Sequence, residues 1–259
     1  MTSQTILAIF LILIGPAIGS FLGVLVDRLP RGEDIVAQPS RCRSCGTKLS
    51  PVDLIPLISF AKNHGRCRHC AAPIPTFTFQ TEILGAAAAV LAVLAGGGPV
   101  EMFLAAIWLW LLVALAMTDL IWMRLPDPLT LLLFATALAV AALPFGHGWH
   151  TAIWGACLGC GSFLALRWGY AALRGQTGLG LGDVKLMAGL GAFAGPLALP
   201  HLILIAALAA LVAAVLTRST AVDGLKRDRA LPFGAALCAA AALLWLWRAA
   251  GISSSGLVV

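Results

Sequence analysis

Residues 99–119 read PVEMFLAAIWLWLLVALAMTD, with no charged side chain between Glu101 and Asp119. About 20 apolar residues let a helix cross a hydrocarbon core, so this run predicts a transmembrane helix with a carboxylate at its far end. Outward from it, seven more apolar stretches lie at 5–26, 80–97, 128–146, 150–169, 182–197, 199–217 and 232–250, bounded by charge, Pro or Gly. Across 259 residues, 60% are hydrophobic and 11% charged, with a mean hydropathy of +0.96. Such a chain cannot cover a soluble surface, and it lacks the polarity of a disordered segment or a coiled coil. The expectation is an all-α polytopic membrane protein with about eight transmembrane helices. The first stretch has no basic segment before it and stays apolar through Gly15, Pro16 and Gly19, so it reads as a retained helix and not as a cleaved signal.

The formal charge of +6 is an orientation signal before it is a nucleic-acid signal. Cations cluster in residues 28–68, at Arg124, at Arg167, Arg174 and Lys185, and at Arg218, Lys226, Arg227 and Arg229. These fall in alternate connections, so with eight spans all of them lie on the cytoplasmic side and both termini lie outside. The opposite connections, 98–101, 146–150 and 195–201, hold no Lys or Arg, and Trp149 sits where an interfacial aromatic belongs. Arg248, near the far end of the last stretch, stands apart from the pattern. The partner implied by the charge is the lipid bilayer, and no nucleic acid is expected.

The apolar pattern breaks between Asp27 and Thr78, a segment too long to be only a connection. It holds four of the seven cysteines, as Cys42-x-x-Cys45 and Cys67-x-x-Cys70, with 21 residues between the pairs. Two-residue spacing lets successive thiolates reach one tetrahedral ion, whose binding stabilises a domain too small for a core of its own. Disulfides or unligated thiols are the rivals, and a reducing cytoplasm favours Zn2+. Four thiolates leave no open position, which makes that zinc structural. His64 and His69 read as surface neighbours of the cysteines, while Cys157, Cys160 and Cys238, inside apolar stretches, read as packing residues.

Acids are scarce enough to weigh one by one. Glu33, Asp34 and Asp53 fall in the cysteine segment and Asp223 and Asp228 in a basic loop, where solvation is the default. Glu101 opens its stretch, where a helix dipole favours an acid. Asp127, followed by Pro128, reads as a helix N-cap. Asp119 ends the third stretch and Asp183 opens the sixth, so with helices of opposite direction both carboxylates reach the cytoplasmic end of the membrane. Either alone could be solvated or snorkel; two at one site cannot both ionise easily, and the division into general base and general acid is that of aspartic proteolysis. Gly178, Gly180 and Gly182 allow a sharp approach to Asp183, and Lys185 lies two residues beyond it.

These residues fall into a recognisable series: Gly19-Ser20-Phe21-Leu22, Arg28-Leu29-Pro30, the two cysteine pairs, Asp53-x-Ile55-Pro56-Leu57, Ala72-Pro73-Ile74-Pro75, Glu82, Asp119, Leu125-Pro126-Asp127, Gly180-Leu181-Gly182-Asp183-x-Lys185 and Leu231-Pro232-Phe233-Gly234. In this order the chain resembles the bacterial type IV prepilin peptidases, the leader peptidases of type IV pilus and type II secretion systems, over nearly its whole length. The resemblance implies a GxGD membrane aspartyl protease of the bacterial inner membrane. Its substrates would be prepilins or pseudopilins, cut on the cytoplasmic face after a glycine that ends a short basic leader. It puts the catalytic pair at Asp119 and Asp183, with Gly180, Gly182 and Lys185 supporting the active-site loop. Many family members also methylate the new N-terminal residue, which implies S-adenosylmethionine as a cofactor. Gly23 stands where the family often has Asn, Phe77-Thr78 where it often has Tyr-Pro, and Ala235 where it often has Pro.

By the same resemblance Glu82 is a methyl-transfer or substrate-contact residue; an acid near a helix N-terminus is the other reading. The resulting organisation is a first transmembrane helix over 1–26, a cytoplasmic zinc-binding module over 27–79, and transmembrane helices two to eight with the protease site over 80–259. The rival class is a membrane scaffold whose zinc module docks a partner without catalysis. It explains the cysteines and the charge but not two aspartates at one depth.

Overall fold

The computed structural model describes residues 2–144, 146–175, 178–218 and 231–251. The basic loop with Asp223, Lys226, Arg227, Asp228 and Arg229 lies outside the described residues, as do Met1 and the last eight positions. Among the described residues the chain is helical, with no strand and only two isolated bridges, Arg41 with Lys48 and Arg66 with Pro73. It divides into two compact units, Met1–Met117 and Thr118–Val259.

The first unit holds α1 (Ser3–Arg28), 3-10 turns at Leu29–Arg31 and Pro51–Leu54, the short α2 (Ile58–Lys62), α3 (Thr76–Leu94) and most of α4 (Pro99–Trp122). Gly15, Gly19 and Gly23 recur every four residues, on one face of α1. That face lies so close to α3 that a Cβ on Gly19 would fall 2.7 Å from the Glu82 Cα, and one on Gly15 would fall 2.9 Å from the Ala89 Cβ. Without a hydrophobic drive between helices in lipid, such close backbone packing is what holds them together. Gly85 answers Gly19 from α3, and its carbonyl accepts the indole N–H of Trp110 in α4 at 2.9 Å.

The second unit holds the end of α4, α5 (Asp127–Ala141), α6 (Trp149–Arg174), α7 (Leu181–Arg218) and α8 (Phe233–Ala249). Gly155 and Gly159 of α6 pack on the backbone of Gly191 and Met187 in α7. In that contact the glycines do the packing: Cys157 is exposed and Cys160 half-buried, contrary to the packing role expected of them. Cys238 is buried, as expected.

The eight apolar stretches are helical over most of their described residues, but the sixth and seventh are joined in α7, interrupted at Gly195 (φ 74, ψ 168) ahead of Pro196 and Pro200. Among the described residues four helices are long and apolar enough to cross a membrane, Ser3–Arg31, Thr76–Leu94, Pro99–Trp122 and Leu181–Leu216, with shorter apolar helices at Asp127–Ala141 and Phe233–Ala249. Exposed Leu13, Leu94, Leu131 and Leu166 suit a surface met by lipid.

Two helix starts are corrected. The N-cap of α5 is Pro126 and no side chain caps it, so Asp127 is the first helical residue and not the cap. Glu82 lies well inside α3, which begins at Thr76, so it is not an acid of the first turn. Glu101 does act at its helix start, accepting the Gly98 N–H at 2.9 Å.

Gly19→Ala should lower stability by about 1–3 kcal/mol through overpacking against α3. Gly161→Ala, in α6 with nothing near the added methyl, should leave it equal or slightly higher. Thermal unfolding of the two variants in detergent checks this; equal midpoints would refute the close contact.

Candidate functional site

In the second unit, Asp119 and Asp183 are held by backbone. Asp119, 6% exposed in the last turns of α4, accepts the Ala235 N–H at 2.8 Å, with the Gly234 N–H also directed to it. Both donors belong to the first turn of α8, where helical N–H groups have no partner within the helix. Glycine at 234 gives Asp119 room, because a Cβ there would lie 3.0 Å from Asp119 Oδ2 and from Leu125 Cδ1 and would press on both side chains. Asp183, in the first turn of α7, turns back to the N–H of Gly180, the reciprocal half of a capping box. The two carboxylates are near enough to interact electrostatically, and buried Cys238 lies within reach of both charges.

The loop glycines have separate tasks. A Cβ on Gly180 would lie 3.2 Å from Asp183 Oδ2, one on Gly182 3.0 Å from the Leu125 Cβ, and one on Gly178 2.8 Å from the Tyr170 ring. Leu125 therefore seats against both Gly182 and Gly234, beside Asp119. Lys185 does not reach the aspartates. Its ammonium donates to both oxygens of Asp127 at 2.7 and 2.8 Å, joining the starts of α7 and α5 through an exposed ion pair. Sequence reasoning named Asp119, Asp183, Gly180, Gly182 and Lys185. It missed the Ala235 N–H, which no side-chain pattern could reveal.

In the first unit, Cys42, Cys45, Cys67 and Cys70 gather so that their four Sγ atoms lie within 4.8 Å of one another. Cys42 and Cys70 Sγ are 3.8 Å apart, about the edge of a tetrahedron with metal–sulfur bonds of about 2.3 Å. Each pair sits on the same turn: the Cys42 N–H donates to Thr47 O and the Cys67 N–H to Ala72 O, with Gly46 and Ala71 at positive φ. The Cys45 thiol lies 3.2 Å from the Thr47 hydroxyl, and the hydrogen bonds it shares with that hydroxyl and with the Thr47 backbone bring its pKa down to about 6, while burial and its thiol neighbours push Cys70 up to about 11. No histidine belongs to this cluster. Arg43, between Cys42 and Cys45, pairs with Asp27 and Glu33 and so ties the first knuckle to the end of α1. Buried Arg28 donates to the carbonyls of Asp34, Gln38 and Pro39 at 3.0, 2.7 and 3.2 Å, shaping the loop that leads there.

Between α1, α3 and the cysteine turns lies a cavity of about 420 Å3 whose lining includes Gly23, Arg28, Phe60, Arg66, Phe77 and Glu82. The Glu82 carboxylate accepts the Leu57 N–H at 2.7 Å and meets the Ser20 side chain. Two departures from the family pattern meet here. A Cβ on Gly23 would lie 2.8 Å from Thr81 Oγ1 and 3.7 Å from the Thr78 Cα, so this chain fills with Thr81 the space that a side chain at 23 would take.

Residues 13–95 match the Bacterial Peptidase A24 N-terminal domain and residues 104–215 the Type IV leader peptidase family. Among curated proteins, the chain is 30% identical to a prepilin leader peptidase/N-methyltransferase of Dichelobacter nodosus, over 95% of this chain and 94% of that one. It is 34% identical to the protein of the same name from Burkholderia pseudomallei, over 90% and 83%, and 33% identical to that from Aeromonas hydrophila, over 89% and 87%. No solved structure matches the chain significantly.

Proposed function

The chain belongs to the type IV leader peptidase family, and from that premise we propose that it removes the short basic leader of prepilins or pseudopilins with Asp119 and Asp183 as its catalytic acids. The observation that carries this reading is that the two carboxylates are near enough to interact electrostatically, Asp119 held by the first turn of α8 and Asp183 standing in the first turn of α7. One acid, ionised, takes a proton from a water that attacks the carbonyl carbon of the glycine ending the leader. Addition forms the C–O bond and a tetrahedral intermediate; the other acid, protonated, then gives its proton to the departing amine, and the C–N bond breaks as the carbonyl re-forms. The pair shares its protons, and the two roles belong to it jointly. The α8 amides orient Asp119, and Gly180 and Gly182 bring the start of α7 close.

The four cysteines would hold a structural Zn2+, with which their tetrahedral spacing agrees. The 420 Å3 cavity is of a size for S-adenosylmethionine, and its lining suits that molecule: Phe60 and Phe77 for a base, Arg66 for a carboxylate. The cofactor would supply a methyl group to the freed N-terminal amine, and the cavity residues would bind and orient it. The relatives' name supports this second activity, since it includes N-methyltransferase. The positive-inside argument supports placing the zinc module of residues 27–79 and the aspartates on the cytoplasmic face of the inner membrane, with both termini outside.

Asp119→Asn and Asp183→Asn should each abolish prepilin cleavage with membrane insertion intact, and the double variant should be barely worse than either single one, because the pair acts as a unit. Asp127→Asn, which loses only an exposed ion pair, should keep most activity. Mass analysis of a prepilin after incubation with each purified variant reads the outcome. Cleavage by both single variants would overturn the aspartyl mechanism.

Purified protein should contain about one zinc per chain, and Cys45→Ser should lower that content and destabilise the module while reducing cleavage only in part. Full zinc retention in a variant lacking both Cys45 and Cys67, measured by metal analysis, would refute the assignment.

A further inference from the structure

Leu57 is among the few described non-glycine residues at positive φ, with φ 62 and ψ −46. The Ile58 N–H donates back to Pro56 O at 2.6 Å, which closes a three-residue γ-turn of the rarer, strained hand. A branched side chain persists there only where its surroundings hold it. Its own amide is held from outside the turn, by Glu82. Glu82 is 8% exposed and lies in the body of α3, so its carboxylate is free to reach across to this segment while also meeting Ser20 of α1. The turn joins Leu54 to Ser59, and both of these line the 420 Å3 cavity together with Glu82.

We propose that Glu82 is a positioning residue that latches the strained turn at Leu57 and thereby fixes one wall of the cavity, so that what methyl-donor binding needs from position 82 is a hydrogen-bond acceptor and not a charge or a base. The inference rests on the S-adenosylmethionine reading of the cavity for its ligand, but the latch is a property of the unliganded chain. A glutamine reproduces it: Oε1 can accept the Leu57 N–H while the amide N–H2 turns to Ser20. A leucine of similar size cannot. A glycine at 57 would adopt the positive φ without strain and depend less on the latch.

The experiment uses full-length protein in detergent with wild type, Glu82→Gln, Glu82→Leu and the double variant Glu82→Leu with Leu57→Gly. Two quantities are read: amide hydrogen exchange over residues 54–59 without methyl donor, and equilibrium binding of S-adenosylmethionine. Glu82→Gln should stay within about threefold of wild type in both, and Glu82→Leu should exchange faster and bind more weakly by about tenfold or more, the scale of one lost buried hydrogen bond. The double variant should recover part of the binding, which a globally misfolded chain would not. If Glu82→Gln is as impaired as Glu82→Leu, the charge matters and the latch is wrong. If wild type binds no S-adenosylmethionine, the cofactor reading fails, and the exchange measurement alone judges the latch: unchanged exchange in Glu82→Leu overturns it.

Discussion

A backbone amide or carbonyl inside a bilayer has no water to bond, so each must find its partner in the protein. Helices satisfy this by themselves, and the interruption of α7 at Gly195 shows how the carbonyls freed at a break find partners. The carbonyls of Ala192, Phe193 and Ala194 end the first half of that helix. His147 Nε2 lies 3.0 Å from the first, and the Arg248 guanidinium donates to the other two at 3.0 and 2.7 Å while covering the Phe193 ring. Arg248 was the cation that did not fit the loop pattern. Its position follows from the broken helix: a guanidinium carries several donors and a permanent charge, suited to the carbonyl end of a helix dipole.

The same accounting explains where the two aspartates are held. Carbonyls are in surplus at a helix end and N–H groups at its start, so an acid in an apolar setting is best kept beside a start. Asp119 ends one helix yet is served by the first turn of another, α8, and Asp183 is served by the residue that precedes its own helix. Backbone donors hold each carboxylate at a set place without adding a cation that would neutralise it. Lys185, the nearby cation of the motif, is engaged by Asp127 instead.

The sequence made legible whatever depends on composition or on residues that repeat at short spacing. Apolar length gave the helices, the two C-x-x-C pairs gave the thiol cluster, and the scarcity of acids singled out Asp119 and Asp183. Contacts made through backbone atoms were not legible. The Ala235 N–H carries no mark of its residue type, and a γ-turn at Leu57 is not written in Asp53-x-Ile55-Pro56-Leu57, because leucine has no preference for positive φ. Asp127-Pro128 suits a cap, but Pro126, whose ring holds φ at −64 and whose ψ is 131, takes the extended cap conformation one residue earlier and leaves Asp127 in the helix. The four-residue recurrence of Gly15, Gly19 and Gly23 was visible, yet only the structure says what that face touches.

That glycine face also bears on chemistry. Gly19 lets α1 approach α3 at Glu82 itself, where a Cβ would meet the Glu82 backbone. Ser20, the next residue, is thereby carried to the Glu82 carboxylate, and Glu82 in turn reaches Leu57. A side chain at 19 would push α1 away from the turn of α3 that presents Glu82 and so would act on the cavity wall without lining the cavity. The packing of two helices and the shape of a binding site are in this unit one arrangement, because the acid that holds the wall stands at the point where the backbones come closest.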